Sequence, residues 1–196
     1  MKSKWSAEVV STIDMLLSFA VAMLVTALLV IPATPANTLT DRSICSMAID
    51  IEWPIGRDLD IDLWAQAPGD KPVGYSSKDG TYLNLVRDDL GNVTDTTKIN
   101  TERVCARGVA VGEYTVNIHY YMSRDKLDLP VPVAVVVSAV DPSSAIMTQL
   151  ISKTVFLRYR GEELTVFRFS LDISGKLVSG SVHDIPKPLR SMKNND

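Results

Sequence analysis

One carboxylate stands where water should be scarce. From Met15 to Thr40 no residue is charged, and from Val9 to Ile31 the chain is apolar apart from Ser11, Thr12, Asp14, Ser18 and Thr26. Read as a membrane segment, that run puts Asp14 roughly 7–8 Å inside the apolar stretch, at about 1.5 Å per helical residue. A carboxylate costs about 2.5–3.5 kcal/mol at the centre of a span and less toward its edge. A plain anchor gains nothing from that cost, and acids inside membranes as a rule face a protein interior or a wet path. Ser11, Asp14, Ser18, Ala22 and Thr26 follow at spacings of three, four, four and four, so a helix gathers them on one stripe. A stripe of small and polar residues lets a second helix approach closely. The chemistry that suits this pattern is ion carriage. Asp14 would bind and release a proton or a sodium ion, helped along the path by the hydroxyls of Ser11, Ser18 and Thr26. Neutralising the acid removes its desolvation cost, so a membrane potential of about 2.3 kcal/mol per charge per 100 mV can drive the cycle. The plainer reading is an Asp14 close enough to the interface to reach water.

A second group of acids lies further on. Asp58, Asp60 and Asp62 alternate, so on a strand they point the same way. With Asp88 and Asp89 they make a candidate calcium site, because hard cations want clustered carboxylates. No glycine-centred loop of EF-hand spacing accompanies them. The competing reading is the solvated face of a strand whose other face is Leu59, Ile61 and Leu63. The two cysteines, Cys45 and Cys105, form an even pair; in an oxidising compartment they favour a disulfide between the first strand and the fifth, with free thiols the alternative. No catalytic constellation emerges, and the chain is read as a non-enzyme. His119 and His183 are the only histidines, and there is neither a Gly-x-Ser-x-Gly elbow nor a phosphate-cradling glycine loop.

These residues need elements to position them. The 23 residues from Val9 to Ile31 make a helix of roughly 35 Å, enough to cross a bilayer, before Pro32 and Pro35 end it. Lys2 and Lys4 precede the run and no Lys or Arg follows until Arg42, which places the N-terminus in the cytoplasm. A cleaved signal peptide is the competitor, but its apolar core would be shorter, 7–15 residues. The expected order is a cytoplasmic tail (1–8), a transmembrane helix (9–31), a linker (32–40), a periplasmic β-sandwich domain (41–185) and a flexible tail (186–196).

The run Ser11-Thr12-Ile13-Asp14-Met15-Leu16-Leu17, continuing through Phe19, Met23 and Pro32, resembles the transmembrane segment of the TolR/ExbD/MotB family. Those proteins are the small subunits of ion-driven inner-membrane motors. The resemblance implies that two copies of this chain sit inside a ring of a polytopic TolQ/ExbB/MotA-like partner, with Asp14 carrying the ion. One departure is that Thr12-Ile13 stands where proline often precedes the Asp in the TolR and ExbD branches.

Beyond Thr40 the pattern changes to short alternating or β-branched runs bounded by turn residues. Strands are expected near 45–53, 60–67, 73–75, 82–87, 102–106, 114–121, 131–140, 154–160, 164–172 and 176–182. One short helix is expected at 143–152. Eight or more strands at turn spacings of about ten residues suggest a sandwich. Asp58-Leu59-Asp60-Ile61-Asp62-Leu63-Trp64, Pro68-Gly69, Val73-Gly74-Tyr75, Arg87-Asp88-Asp89 and Gly112-Glu113-Tyr114-Thr115-Val116 resemble secreted bacterial β-sandwich domains of the YfaP type, which implies a fold more than an activity.

Length and charge bound the rest. At 196 residues with a net charge of −3, the chain has room for one ordinary core and no broad electrostatic grip on nucleic acid. The mean hydropathy of +0.11 averages an apolar N-terminus with a polar remainder. The fold expected is a single N-terminal transmembrane helix plus an all-β sandwich-like extracytoplasmic domain. The function expected is the small subunit of a proton- or sodium-driven inner-membrane motor, its β domain passing force to an envelope partner. The alternative is a membrane-anchored periplasmic binding module that moves no ion.

Overall fold

The computed structural model describes residues 7–30, 45–91, 99–125, 130–141 and 143–190, and within the helix the side chains of Val9 and of residues 11–23. The linker expected at 32–40 and the end of the chain at 191–196 lie outside the described residues. The chain divides into two units, Met1–Asp41 and Arg42–Asp196.

The first unit holds one helix, α1 (Ala7–Val30). Among the described residues, no helix is long and apolar enough to cross a membrane. Ser11, Thr12, Asp14 and Ser18 dilute the apolar character of residues 11–23. The expectation of a single-pass transmembrane helix is therefore corrected, and with it the description of the chain as a single-pass membrane protein.

The second unit is built of strands. In chain order they are β1 (Met47–Glu52), β2 (Leu59–Gln66), β3 (Leu83–Arg87), β4 (Thr101–Ala106), β5 (Gly112–Ser123), β6 (Val131–Val140), β7 (Met147–Leu157) and β8 (Glu163–Leu171). They form a five-stranded sheet in the order β3-β4-β1-β6-β7 and a three-stranded sheet in the order β2-β5-β8, every pair antiparallel. Alternation explains the packing. Along β6, Val131, Val133, Val135, Val137 and Ala139 are buried while the residues between them are half-buried. They meet Ile49 and Ile51 of the same sheet and Ile61, Leu63, Val116, Ile118 and Phe169 of the other in one core. At the mouth of β5 the buried Tyr114 hydroxyl donates to the Ala110 carbonyl at 2.9 Å and accepts the Ala110 N–H at 2.7 Å. This pair of bonds pins the chain where it enters the strand, in the manner of a tyrosine corner.

Cys45 and Cys105 are joined in a disulfide, with their Cα atoms 5.3 Å apart. It ties the residues leading into β1 to β4, its neighbour in the same sheet. The helix expected at 143–152 is instead a turn and the first half of β7. Asp141 Oδ1 accepts the backbone N–H and the hydroxyl of Ser143, Ala145 takes a positive φ of 54°, and the chain folds back on β6. The hydroxyl-rich sequence there serves a hairpin turn, not a helix start.

The candidate binding edge and the buried acid cluster

The acids read from the sequence gather at β2, but not on a solvated face. Leu59, Ile61 and Leu63 enter the core, and Asp60 and Asp62 on the opposite face are buried too, at 7% and 4% exposure. The register opposes Asp62 to His119 of β5, and Asp62 Oδ2 lies 2.7 Å from His119 Nδ1. Burial, with Asp62, Asp88 and Asp89 nearby, pushes the Asp60 carboxyl up from 3.8 to about 7 against the opposing pull of Arg124. Asp88 pairs with Lys78 at 2.7 Å, and Asp89 Oδ1 accepts the Gly91 N–H at 2.9 Å. Asp58 lies 3.4 Å from Arg124.

Glu102 completes the group and was not singled out in the sequence. It is 1% exposed, and its carboxyl accepts the N–H of Leu63 at 2.7 Å and of Asp89 at 3.3 Å. Burial pushes it well above the usual carboxylate range, opposed by the Leu63 N–H and reinforced by Asp62 and Asp88. Its signal was available: Glu102, Val104 and Ala106 share one parity of β4, so an acid stood at an inward position. Among the described residues, no three of His, Cys, Asp and Glu are arranged to hold a metal ion. Asp60, Asp62, Asp88, Asp89 and Glu102 form a buried acid cluster in which burial raises Asp60 and Glu102.

The remaining candidates are dispersed. Asp14, Ser11 and Ser18 lie on α1 with exposed side chains, and the side chain of Thr26 lies outside the described residues. His183 sits 3.4 Å from Glu113. Residues 186–190 begin the expected tail, yet they are fastened: Lys187 N–H donates to Thr165 Oγ1 at 2.9 Å, Leu189 N–H donates to Glu163 Oε1 at 2.9 Å, and Leu189 is buried.

The sheet edges differ sharply in how they are finished. β2 is covered by Val73, which exchanges both backbone hydrogen bonds with Ala65, and by Glu102 on the Leu63 N–H. β3 is covered by Lys78, whose carbonyl accepts the Leu85 N–H at 2.8 Å. β8 is covered by the segment from Leu177 to Lys187, where Arg168 and His183 exchange both backbone bonds. Only the outer edge of β7 has no backbone partner among the described residues.

The register shows which groups that edge presents. The Val140 N–H donates to Ser46 of the β1 side, and the Asp141 N–H donates to the Ile146 carbonyl of the β7 side. Alternation then turns Val133, Val135 and Val137 toward β7, where they oppose Val155, Lys153 and Ile151. The N–H and C=O groups of Ser152, Thr154 and Phe156 point outward. Beside this edge a cleft of about 440 Å³ opens, lined by Lys153, Phe156, Arg158, Asp184 and Lys187 among others. In its wall Asn117 donates to Glu163 and to the Lys187 carbonyl, leaving its buried Oδ1 without a partner.

Comparison of this chain with family models, with curated proteins and with solved structures finds no match.

Proposed function

We propose that the β domain is a binding module that takes up an extended polypeptide as an additional strand on the outer edge of β7. An ion-driven motor subunit requires a spanning helix, and among the described residues no helix is long and apolar enough to cross a membrane, whereas a binding role needs none. The observation that carries it is the contrast among the edges: β2, β3 and β8 are each covered by a segment of the chain or a side chain, while β7, 11 residues long, has no backbone partner on its outer edge among the described residues. Strand addition draws affinity from such a row of unpaired main-chain groups and specificity from pockets beside it. The disulfide adds a setting, because a structural Cys45–Cys105 bond persists in an oxidising compartment such as the periplasm or the extracellular space. Binding is favoured over catalysis because His119 is turned inward onto Asp62 and His183 onto Glu113, leaving neither in the cleft lining.

The test is a titration with a synthetic peptide of alternating threonine and valine, followed by amide NMR. The amides of Ser152, Thr154 and Phe156 should shift first and become protected from hydrogen exchange. Thr154→Pro removes one outward N–H and leaves every β6–β7 bond in place, so it should abolish uptake without unfolding the domain. Binding that Thr154→Pro leaves unchanged would refute the reading.

A further inference from the structure

The chemistry of the strand that β7 accepts is legible in the charges around it, and this inference rests on the strand-addition reading. From Met147 to Arg160 the chain carries three cations, Lys153, Arg158 and Arg160, and no acid. Lys153 is occupied, its Nζ 2.9 Å from Asp184. Arg158 and Arg160 are exposed and have no ion-pair partner among the described residues. Both follow directly on β7, at the end where Phe156 leaves its outward N–H and C=O open. A strand laid along Ser152, Thr154 and Phe156 therefore runs past two available guanidinium groups as it leaves the sheet. Guanidinium forks hold carboxylates in two parallel hydrogen bonds, a geometry a lysine does not offer.

The side-chain faces agree. Outward from the sheet, the half-buried Pro132, Ala134 and Val136 of β6 lie beside the exposed Ser152, Thr154 and Phe156 of β7. That surface suits small apolar or β-branched side chains on every second position of the added strand. On the other face the strand looks into the cleft containing Lys153, Arg158 and Lys187 against Asp184 and Glu163, an excess of one positive charge.

We infer that the partner of the β7 edge is an extended acidic polypeptide segment, β-branched along one face and carrying carboxylates at the end that lies against Arg158 and Arg160.

The experiment uses the full chain and three peptides of β7's length, each alternating threonine and valine. Two residues near the arginine end are glutamate in the first, glutamine in the second and lysine in the third. Binding is read by fluorescence anisotropy at low and high salt. The glutamate peptide should bind about fivefold more tightly than the glutamine peptide, as two exposed ion pairs imply. That advantage should fade at high salt, and the lysine peptide should bind least. Arg158→Glu with Arg160→Glu should invert the order while circular dichroism stays unchanged. Equal binding of the glutamate and glutamine peptides, with both lost in Thr154→Pro, overturns the acidic partner and leaves strand addition standing. Binding insensitive to Thr154→Pro, or no binding of any peptide, overturns both. A dimer of the chain that Thr154→Pro dissociates in sedimentation overturns the acidic partner in favour of a second copy on the same edge.

Discussion

Asp60→Asn probes the buried acid cluster most directly, because it removes one proton-holding group and nearly preserves its shape. Asp60 titrates at about 7 in the folded chain against 3.8 as an isolated carboxyl, with burial the first cause and Asp62, Asp88 and Asp89 behind it. At about 1.36 kcal/mol for each pH step between the two values, the ceiling is roughly 4 kcal/mol. Solvent screening at the sheet margin removes part of this, so about 2 kcal/mol is expected over the whole window. Below 3.8 the folded and unfolded chains both hold the proton, and this stabilisation is fully present. As pH rises toward 7 the unfolded chain releases its proton while the folded chain retains it, so stability falls until the folded group also ionises. Glu102, likewise raised by burial, adds to the same downward slope. The groups held low act in a different window. Burial opposes but the N–H groups of Tyr82, Lys71 and Thr81 hold Asp70 down, Arg168 holds Glu113 down, and Arg57 holds Asp125 down. Their contribution is lost only as pH falls into the carboxylate range. Urea unfolding at pH 5, 6, 7 and 8 with the disulfide intact should therefore show the wild type losing stability as pH rises, and Asp60→Asn losing about 1 kcal/mol less over the same span, since part of the swing falls below pH 5. A wild-type curve that is flat or rising between pH 5 and 8, or an Asp60→Asn curve parallel to it, would refute the reasoning.

Three further substitutions test the frame. Tyr114→Phe leaves the Ala110 N–H and carbonyl without their buried partner, and thermal or urea unfolding should show a loss of about 1–3 kcal/mol. Cys45→Ser with Cys105→Ser opens a bridge of sequence separation 60; the chain-entropy estimate is about 4 kcal/mol, and the wild type in reductant should show the same loss of urea midpoint. At Gly74 an added Cβ would stand 2.5 Å from the Trp64 ring. Gly74→Ala should cost about 1–3 kcal/mol by overpacking and shift tryptophan emission, and unchanged emission with unchanged stability would show that Trp64 is free to move aside.

Much of the β domain could be read from alternation, and the misreadings have identifiable physical causes. Val131–Val140 announces itself because every second residue is buried. Asp58, Asp60 and Asp62 were equally regular, but alternation tells only that they share a face, not what covers it. The cover comes from β5 through His119 and from β4 through Glu102, contacts that are far apart in the chain. The stretch 143–152 misled because hydroxyls suit both a helix start and a hairpin turn, and the long-range pairing with β6 decided between them. The N-terminal run misled in another way. Its apolar composition was plain, yet Ser11, Thr12, Asp14 and Ser18 interrupt it, and among the described residues no helix is long and apolar enough to cross a membrane. The edge of β7 was not legible at all, since openness is a property of what the other segments leave uncovered.

That openness is the more telling because the usual protections are missing from it. Natural edges are blunted by an outward lysine, a proline, a bulge or a covering segment. Here the one lysine of β7, Lys153, belongs to the row opposed to Val135 and is drawn to Asp184. Of the prolines near it, Pro132 belongs to β6 and turns its backbone away from the edge, while Pro186 and Pro188 line the cleft beside it. The bulge falls between the pairings of Val137 and Ser138, ahead of Ser152, Thr154 and Phe156, so those residues continue in regular register to Leu157. Meanwhile the chain commits Val73, Lys78, Glu102 and the segment through His183 to finishing every other edge. Among the described residues, three edges are guarded by the chain itself and the fourth is long and without a backbone partner, which makes it either an aggregation hazard or a docking strip. The two exposed arginines after Leu157 favour docking, since their charge repels a second identical edge laid parallel and in register while attracting an acidic strand.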